Sequence, residues 1–362
     1  MSLLPEEINR YSQQLKLDPV GLEGQLKLKN ARVLCIGAGG LGSSVLLHLA
    51  SVGVGTIGIV DHDVVELSNL QRQILYQNSQ IGYKKAIIAK QQLSALNPNI
   101  DIYAYTERFN INNANELINQ YDIIADCSDN FATRYLINDI CYSLNKPYAF
   151  ASIYQFEGQC SLFLSKETPC FRCLYPLIPI TDISPDCREG GVLGVLPGLF
   201  GVIQATEIIK WILKIGNRLA GHLLSIDILK MQFRTFQILQ NPECSLCVLK
   251  QPLELLTQVQ ACSSLHFISA KELKQKLTDD ENVLLLDVRS IEEHKAYNLG
   301  GILIPLPELQ HRLTELNPNK QIIVYCQSGR RSIQAVKLLV EANLNAISLQ
   351  GGVLEWRRNF DR

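Results

Sequence analysis

The sequence predicts an α/β protein in two parts. The first is a doubly wound nucleotide-binding domain whose sheet turns antiparallel in its second half, and the other is a smaller α/β domain behind it. Three observations predict this. Residues 32–63 spell strand, glycine-rich turn, helix, strand, acid. Strand-type and helix-type segments go on alternating to about residue 153, and after a polar stretch near residue 250 the alternation starts afresh. A length of 362 residues suits two or three domains, and 47% hydrophobic residues suffice for well-filled cores.

Each element has a reason in the chain. Residues 1–30 read as polar helix leading into the first strand. The apolar run 33–36 meets Gly37-Ala38-Gly39-Gly40-Leu41-Gly42, and small and apolar residues from 43 to about 52 follow as helix. Glycines let the backbone turn tightly and approach a phosphate, whose charge the amides at a helix start satisfy. The next run, 57–60, ends on Asp61, about twenty residues past the glycines, where a βαβ unit sets a carboxylate against a ribose hydroxyl. This unit by itself fits NAD as well as ATP. Residues 63–73 are too polar and irregular for a core strand. They follow the acid directly, at the carboxyl end of a parallel strand, where ligands bind in doubly wound sheets.

Gly82-Tyr83-Lys84-Lys85 opens a helix that stops at Asn97-Pro98-Asn99. Strands follow at 100–105 and 122–127, the latter running into Ser128-Asp129-Asn130. A helix to about 144 and a strand at 148–153 complete a parallel sheet covered on both faces. From residue 158 the pattern alternates as antiparallel strands do, at 159–164 and 223–239, with an apolar helix at about 199–215 between them. Residues 250–263 have the composition of a linker. Behind it come a capped helix at 269–277, a strand at 283–287, a helix at 306–316 and a strand at 321–325. That last strand runs into Cys326-Gln327-Ser328-Gly329-Arg330-Arg331-Ser332, and a helix to about 342, a short strand and Gly351-Gly352 close the chain.

Composition narrows the class. A formal net charge of -1 gives no basic excess of the kind nucleic acid selects. The polar amino terminus does not resemble a signal peptide, and the longest apolar region, 190–203, holds Pro197 and falls short of a membrane span. A cytoplasmic protein with no membrane partner is expected. Eleven cysteines are many for that compartment, so metal binding or thiol chemistry should account for some.

Ser68, Asn69, Leu70, Gln71, Arg72, Lys85, Asp129 and Asn130 each follow a strand end and are expected to converge above Gly40. Arg72 and Lys85 would neutralise a triphosphate, and Asp129 could hold Mg²⁺, which prefers oxygen ligands. Cys170 and Cys173, with Cys244 and Cys247 some seventy residues on, form two CxxC pairs, which as four thiolates satisfy a tetrahedral structural Zn²⁺. Cys187 lies in a Pro-, Asp- and Gly-rich loop, where Arg188 favours a thiolate and Asp186 and Glu189 oppose it. Cys326 stands directly after a strand, at the head of a loop that opens a helix. Inward-facing amides and the charge of Arg330 or Arg331 would favour an anionic sulfur or a persulfide there.

The glycine turn, Asp61, residues 68–72, Lys85, Asp129-Asn130 and the four paired cysteines together resemble the MoeB/ThiF family of ubiquitin-activating-enzyme-like adenylyltransferases over 1–250. Asp287-Val288-Arg289, Glu293, the Cys326 loop and Gly351-Gly352 resemble a rhodanese domain over 263–362, behind a linker at 251–262. The fusion is similar to that of MoeZ-type proteins. The resemblance implies a Rossmann-like adenylation domain with a mixed sheet and a zinc site. It implies ATP-dependent adenylation of the carboxyl-terminal glycine of a ubiquitin-like sulfur carrier ending in Gly-Gly. A persulfide on Cys326 then delivers sulfur, leaving a thiocarboxylate for molybdopterin, thiamine or related synthesis. It implies further that Gly40 and its neighbours cradle phosphate, that Asp61 takes the ribose, and that Asn69, Arg72 and Lys85 hold phosphates. Cys187 matches the loop cysteine that some members use covalently. A homodimer and a cysteine desulfurase as sulfur donor are expected on the same ground.

One departure bears on activity. Where the family reads Arg-Tyr-x-Arg-Gln, this chain reads Arg10-Tyr11-Ser12-Gln13-Gln14, so the second arginine, which reaches ATP in the partner subunit, is a neutral Gln13. Two other readings compete: an NAD-dependent oxidoreductase with a zinc ribbon, which leaves Arg72, Lys85 and Asp129 without a task, and a carrier-docking scaffold with weakened adenylation.

Overall fold

A computed structural model of the chain describes residues 2–176, 191–251, 267–278 and 282–360. The chain divides into two compact units, the first holding the described residues up to 251 and the second those from 267. Cys187 lies outside the described residues.

In the first unit, helices α1 (Pro5–Arg10), α2 (Ser12–Leu15) and α3 (Gly21–Asn30) precede β1 (Arg32–Ile36), α4 (Gly40–Ser51) and β2 (Thr56–Val60). Next come α5 (Lys85–Leu96), β3 (Asp101–Tyr105), α6 (Ile111–Asn119), β4 (Ile123–Asp126), α7 (Phe131–Leu144) and β5 (Tyr148–Tyr154). The unit continues with β6 (Glu157–Phe163), α8 (Phe171–Leu174), α9 (Val195–Leu213), β7 (His222–Asp227) and β8 (Gln232–Gln237). The eight strands form one sheet in the order β3-β2-β1-β4-β5-β6-β7-β8. The first five are parallel and the last three antiparallel, so the sheet is mixed. β1 and β4 are buried almost throughout, as strands covered on both faces must be, and each face has its own apolar core.

The chain leaves β1 toward β2 on one side and returns to β4 on the other, which makes the carboxyl ends of β1 and β4 the switch point of the sheet. Glycine is required at this turn. Gly37 sits at φ 95°, and a Cβ on Gly42 would lie 2.1 Å from the carbonyl oxygen of Gly37. Helix α9 is long and apolar enough to span a bilayer by length and composition, but it is packed as core. Its Gly198 carbonyl accepts from Ser44 Oγ at 3.1 Å, and Gly201 abuts α4 so closely that an added Cβ would meet Ser44 at 2.6 Å. It begins at Val195, earlier than the expected 199, because Pro197 sits in the first turn, where its missing N–H costs nothing. The expected strand at 223–239 is two strands, β7 and β8, closed by Asp227, which accepts from the amides of Leu229 and Lys230.

The second unit is a parallel sheet ordered β11-β10-β12-β13-β9, built from β9 (Phe267–Ile268), β10 (Val283–Asp287), β11 (Ile302–Leu303), β12 (Gln321–Tyr325) and β13 (Ala346–Leu349). Its helices are α10 (Ala270–Thr278), α11 (Ile291–Ala296), α12 (Arg330–Glu341) and α13 (Gly352–Phe360). The helix expected at 306–316 is instead two 3₁₀ segments, Leu306–His311 and Leu313–Glu315. Pro305 and Pro307 remove two amide donors, and Arg312 at φ -120° lies outside the helical range, so i→i+3 turns replace the α-helix.

Candidate functional site

A cleft of about 1060 Å³ opens at the carboxyl ends of the parallel strands of the first unit. It gathers Gly40, Asp61, Ser68, Asn69, Gln71, Arg72, Lys85, Asp129 and Asn130 from five separate segments. Leu70, expected with them, does not line the cleft; its side chain packs against the apolar core.

The glycine turn is braced from two sides. Asp61 at the end of β2 accepts from the Ala38 amide at 2.8 Å and from the Asp63 amide at 2.9 Å, while Tyr76 donates to the Ala38 carbonyl at 2.7 Å. The cations on this loop carry little compensation. Arg72 donates to the Ser68 carbonyl at 3.0 Å, and buried Lys85 faces Asp63 at 3.3 Å. Under β4, Asp126 accepts from both the amide and the hydroxyl of Ser128, at 3.1 and 2.6 Å, and so shapes the turn that presents Asp129. Burial pushes the Asp126 carboxyl above its ordinary value. Asn130 caps α7 by accepting from the Thr133 amide at 2.9 Å.

The cleft also holds residues that were not anticipated, Gln73, Arg108 and Arg134 among them. Gln73 lies one residue beyond the polar motif. Arg108 follows β3, a strand end to which the ligand rule for parallel sheets applied equally. Buried Arg134 donates to the Ser128 carbonyl at 3.1 Å from the first turn of α7. Among the described residues five buried side-chain atoms lack a hydrogen-bond partner, and three of them, Asn69 Oδ1, Gln73 Oε1 and Arg134 Nε, belong to residues that line the cleft; the other two are Asp126 Oδ2, just beneath it, and Ser161 Oγ. Unpaired buried polar atoms cost about 1–3 kcal/mol each, so their clustering at one cleft marks a place where a polar ligand completes the structure.

The four paired cysteines meet beside α7. Cys170 Sγ lies 3.5 Å from Cys244 Sγ and Cys173 Sγ 3.3 Å from Cys247 Sγ, and all four sulfurs fall within 4.8 Å of one another. Zn–S bonds of about 2.3 Å set sulfurs about 3.8 Å apart in a tetrahedron, so the donor set fits zinc. The hydrogen bond that Cys170 donates lowers the Cys244 thiol and raises Cys170 itself, and burial raises Cys247, so without a metal the four sulfurs share protons among themselves. Arg172, between the first pair, is buried and doubly bonded to Asp139 of α7 at 2.8 and 2.6 Å.

In the second unit, Cys326 is buried at the end of β12, and Ser332 Oγ lies 3.6 Å from its sulfur. Two arginines of the site, Arg289 and Arg331, are ion-paired. Arg289 is clamped on Asp287 at 2.7 to 3.2 Å and also reaches Gln327 Oε1 at 3.3 Å. Burial would raise Asp287, but the bonds from Arg289 and His294 outweigh it and hold the carboxyl below its ordinary value. Arg331, expected to lend charge to the sulfur, forms two bonds of 2.6 Å with Glu293, which hold that carboxyl at about 2.

Fold and cleft define the first unit as an ATP-utilising adenylation domain. The ThiF family matches residues 11–246 and the rhodanese-like domain residues 269–359. The chain belongs to the ThiF family, with a carboxyl-terminal rhodanese-like domain, and is an adenylyltransferase and sulfurtransferase. It is 40% identical to the probable adenylyltransferase/sulfurtransferase MoeZ of Mycobacterium tuberculosis, over 99% of this chain and 95% of that one. It is 36% identical to the adenylyltransferase and sulfurtransferase MOCS3 of Xenopus laevis, over 98% and 87%. A sulfur carrier protein adenylyltransferase of Thermus thermophilus is 47% identical over 67% of this chain and 91% of its own length. Among solved structures, E. coli MccB with ATP superposes with a TM-score of 0.58 at 25% identity, covering 67% of this chain and 75% of that one. The oxidoreductase reading falls with these matches.

Proposed function

We propose that the chain adenylates the carboxyl-terminal glycine of a ubiquitin-like sulfur carrier ending in Gly-Gly and then converts it to a thiocarboxylate. The observation that carries this reading is the cleft at the sheet's switch point, with Arg72 paired to no described carboxylate, Lys85 partly compensated by Asp63 and three polar atoms unpaired among the described residues, in a chain that also holds the Cys326 loop. The carrier carboxylate attacks the α-phosphorus of ATP and expels pyrophosphate. The attacking group is already nucleophilic, so alignment and charge neutralisation dominate. The glycine turn at Gly40 cradles phosphate, Asp61 takes the ribose, and Asn69, Arg72 and Lys85 hold the phosphates, with Ser68, Leu70, Gln71 and Asn130 as their frame. Asp129 would hold Mg²⁺, which neutralises phosphate charge, and the four thiolates would hold a structural Zn²⁺.

Cys326 takes the outer sulfur of a donor persulfide, for which a cysteine desulfurase is the source, and the donor leaves as a thiolate. The terminal sulfur on Cys326 attacks the acyl carbon and expels AMP. A second thiol, for which Cys187 is the candidate, attacks the Cys326 sulfur of the acyl persulfide. The thiocarboxylate leaves, and the resulting disulfide is reduced by a cellular dithiol. A cytoplasmic homodimer serving molybdopterin or a related synthesis completes the proposal. The exposed apolar side chains of the β7–β8 hairpin, among them Met231, Phe233 and Phe236, suit a carrier's docking face.

Carrier-dependent ATP–pyrophosphate exchange tests the first step. Asp129→Ala is expected to abolish exchange and all later chemistry, while Cys326→Ser is expected to abolish thiocarboxylate and leave exchange intact. Exchange lost in Cys326→Ser would refute the separation of steps.

A further inference from the structure

We propose that the last helix, α13, is a clamp that orients the sulfur loop, with Gly352 and the amide of Leu354 as positioning elements for sulfur transfer. The inference rests on the sulfur-carrying role of Cys326 given above.

The contacts are specific. The Val353 amide donates to the Cys326 carbonyl at 2.9 Å and the Leu354 amide to the Gln327 carbonyl at 3.0 Å. Both amides belong to the first turn of α13, where no intrahelical acceptor exists, so binding the loop costs the helix nothing. Gly352 permits the approach. A Cβ there would lie 2.3 Å from the Cys326 carbonyl oxygen and 2.9 Å from the Gly329 nitrogen, and the residue sits at φ 59°. The preceding Gly351, at φ 68°, brings the chain off β13 into that position.

The consequence follows from peptide geometry. Among the described residues no peptide bond is cis, and in a trans peptide the carbonyl and the next N–H point in opposite directions. Two carbonyls drawn to α13 therefore turn the amides of Gln327 and Ser328 to the opposite side of the loop. Those amides, with the start of α12, are the groups that receive the negative charge on the Cys326 sulfur. The guanidiniums of Arg289 and Arg331, the described ones beside the loop, are already occupied by Asp287 and Glu293, which leaves the loop backbone as the described group for this service.

The test uses the full chain, thiosulfate as donor and cyanide as acceptor. Cys326 takes the outer sulfur of thiosulfate and releases sulfite; cyanide then takes that sulfur as thiocyanate and releases the Cys326 thiolate. Leu354 is exposed, so its side chain is dispensable. Leu354→Pro removes the amide at a position where proline is tolerated, and Leu354→Ala keeps it. The Pro variant should lose about tenfold in kcat with KM for thiosulfate unchanged, the scale of one lost hydrogen bond, while the Ala variant keeps the wild-type rate. Exchange in the first unit should be untouched in both. If the Pro variant melts early, semisynthetic replacement of Leu354 by leucic acid, which changes only N–H to O, decides. A wild-type kcat in the folded Pro variant or in the leucic acid variant overturns the clamp. Thiocyanate formation surviving in Cys326→Ser would overturn the reading of Cys326 instead.

Discussion

The two sites of this chain handle charge in opposite ways. In the adenylation cleft, Arg72 rests on one backbone carbonyl, Lys85 on a carboxylate at 3.3 Å, and buried polar atoms go unpaired. Around Cys326 the described arginines are each locked into a carboxylate, and the loop carbonyls are tied to α13. The cleft is incomplete without a polyanion, whereas the sulfur loop is complete before any substrate arrives. That difference suits the chemistry. A triphosphate brings several negative charges that mobile cations can meet, but a single sulfur atom needs a small number of fixed dipoles.

The contrast predicts unequal sensitivity to losing an arginine. Arg72→Met should cost about 3–4 kcal/mol of transition-state stabilisation, seen as a loss of 10²–10³ in exchange kcat. Arg331→Met should leave thiocyanate formation within a few-fold of wild type and show instead as lower stability of the second unit. Equal losses would mean that Arg331 serves the sulfur directly and that the loop is less self-contained than its bonds indicate.

Metal removal is next in size. Chelation should strip one Zn²⁺ per chain by native mass spectrometry and lower the melting of the first unit by about 2.7 kcal/mol or more, the linkage expected of a site held at a hundred times its Kd. The second unit should melt as before. A metal-free first unit with unchanged melting would remove zinc from the account. Smaller again is the effect at Gln13, which is exposed on α2 and accepts from Lys16 Nζ at 3.3 Å. Gln13→Arg should raise exchange kcat about tenfold if the missing charge limits adenylation, and no change would show that the cleft compensates by other cations. If no variant forms adenylate with any carrier ending in Gly-Gly, the scaffold reading gains.

What could be read from the chain follows the same division. Strongly periodic, contiguous features were legible. The β1–turn–α4–β2 unit, the antiparallel half of the sheet and the Cys326 loop each have a sequence pattern of their own. Features set by tertiary contact were not. Helix α6, Ile111–Asn119, is asparagine-rich and was not anticipated; it is capped by Asn110, which accepts from the Asn112 amide at 2.9 Å. Gln73, Arg108 and Arg134 escaped because each lies just past a motif, and only the folded sheet brings their segments to one cleft. Leu70 sits inside a motif yet faces the core, since a polar loop still needs an apolar anchor.

The smallest effect sharpens the comparison from the sulfur side. Glu293 has its carboxyl lowered to about 2 by Arg331, from an ordinary value near 4.5. A depressed folded-state value means that the native state holds its proton less tightly than the unfolded chain does. The stabilisation is therefore fully present above about pH 4.5 and is lost as pH falls toward 2. Both side chains are about one-third exposed, so water screens the pair and its contribution should be about 1 kcal/mol. Glu293→Gln should destabilise the second unit by that amount at pH 7 and by progressively less between pH 4.5 and 2, while the first unit shows no such difference. A Glu293→Gln deficit that stayed constant down to pH 2 would mean that the pair contributes through shape and not through charge, and the neutralised loop would lose its electrostatic explanation.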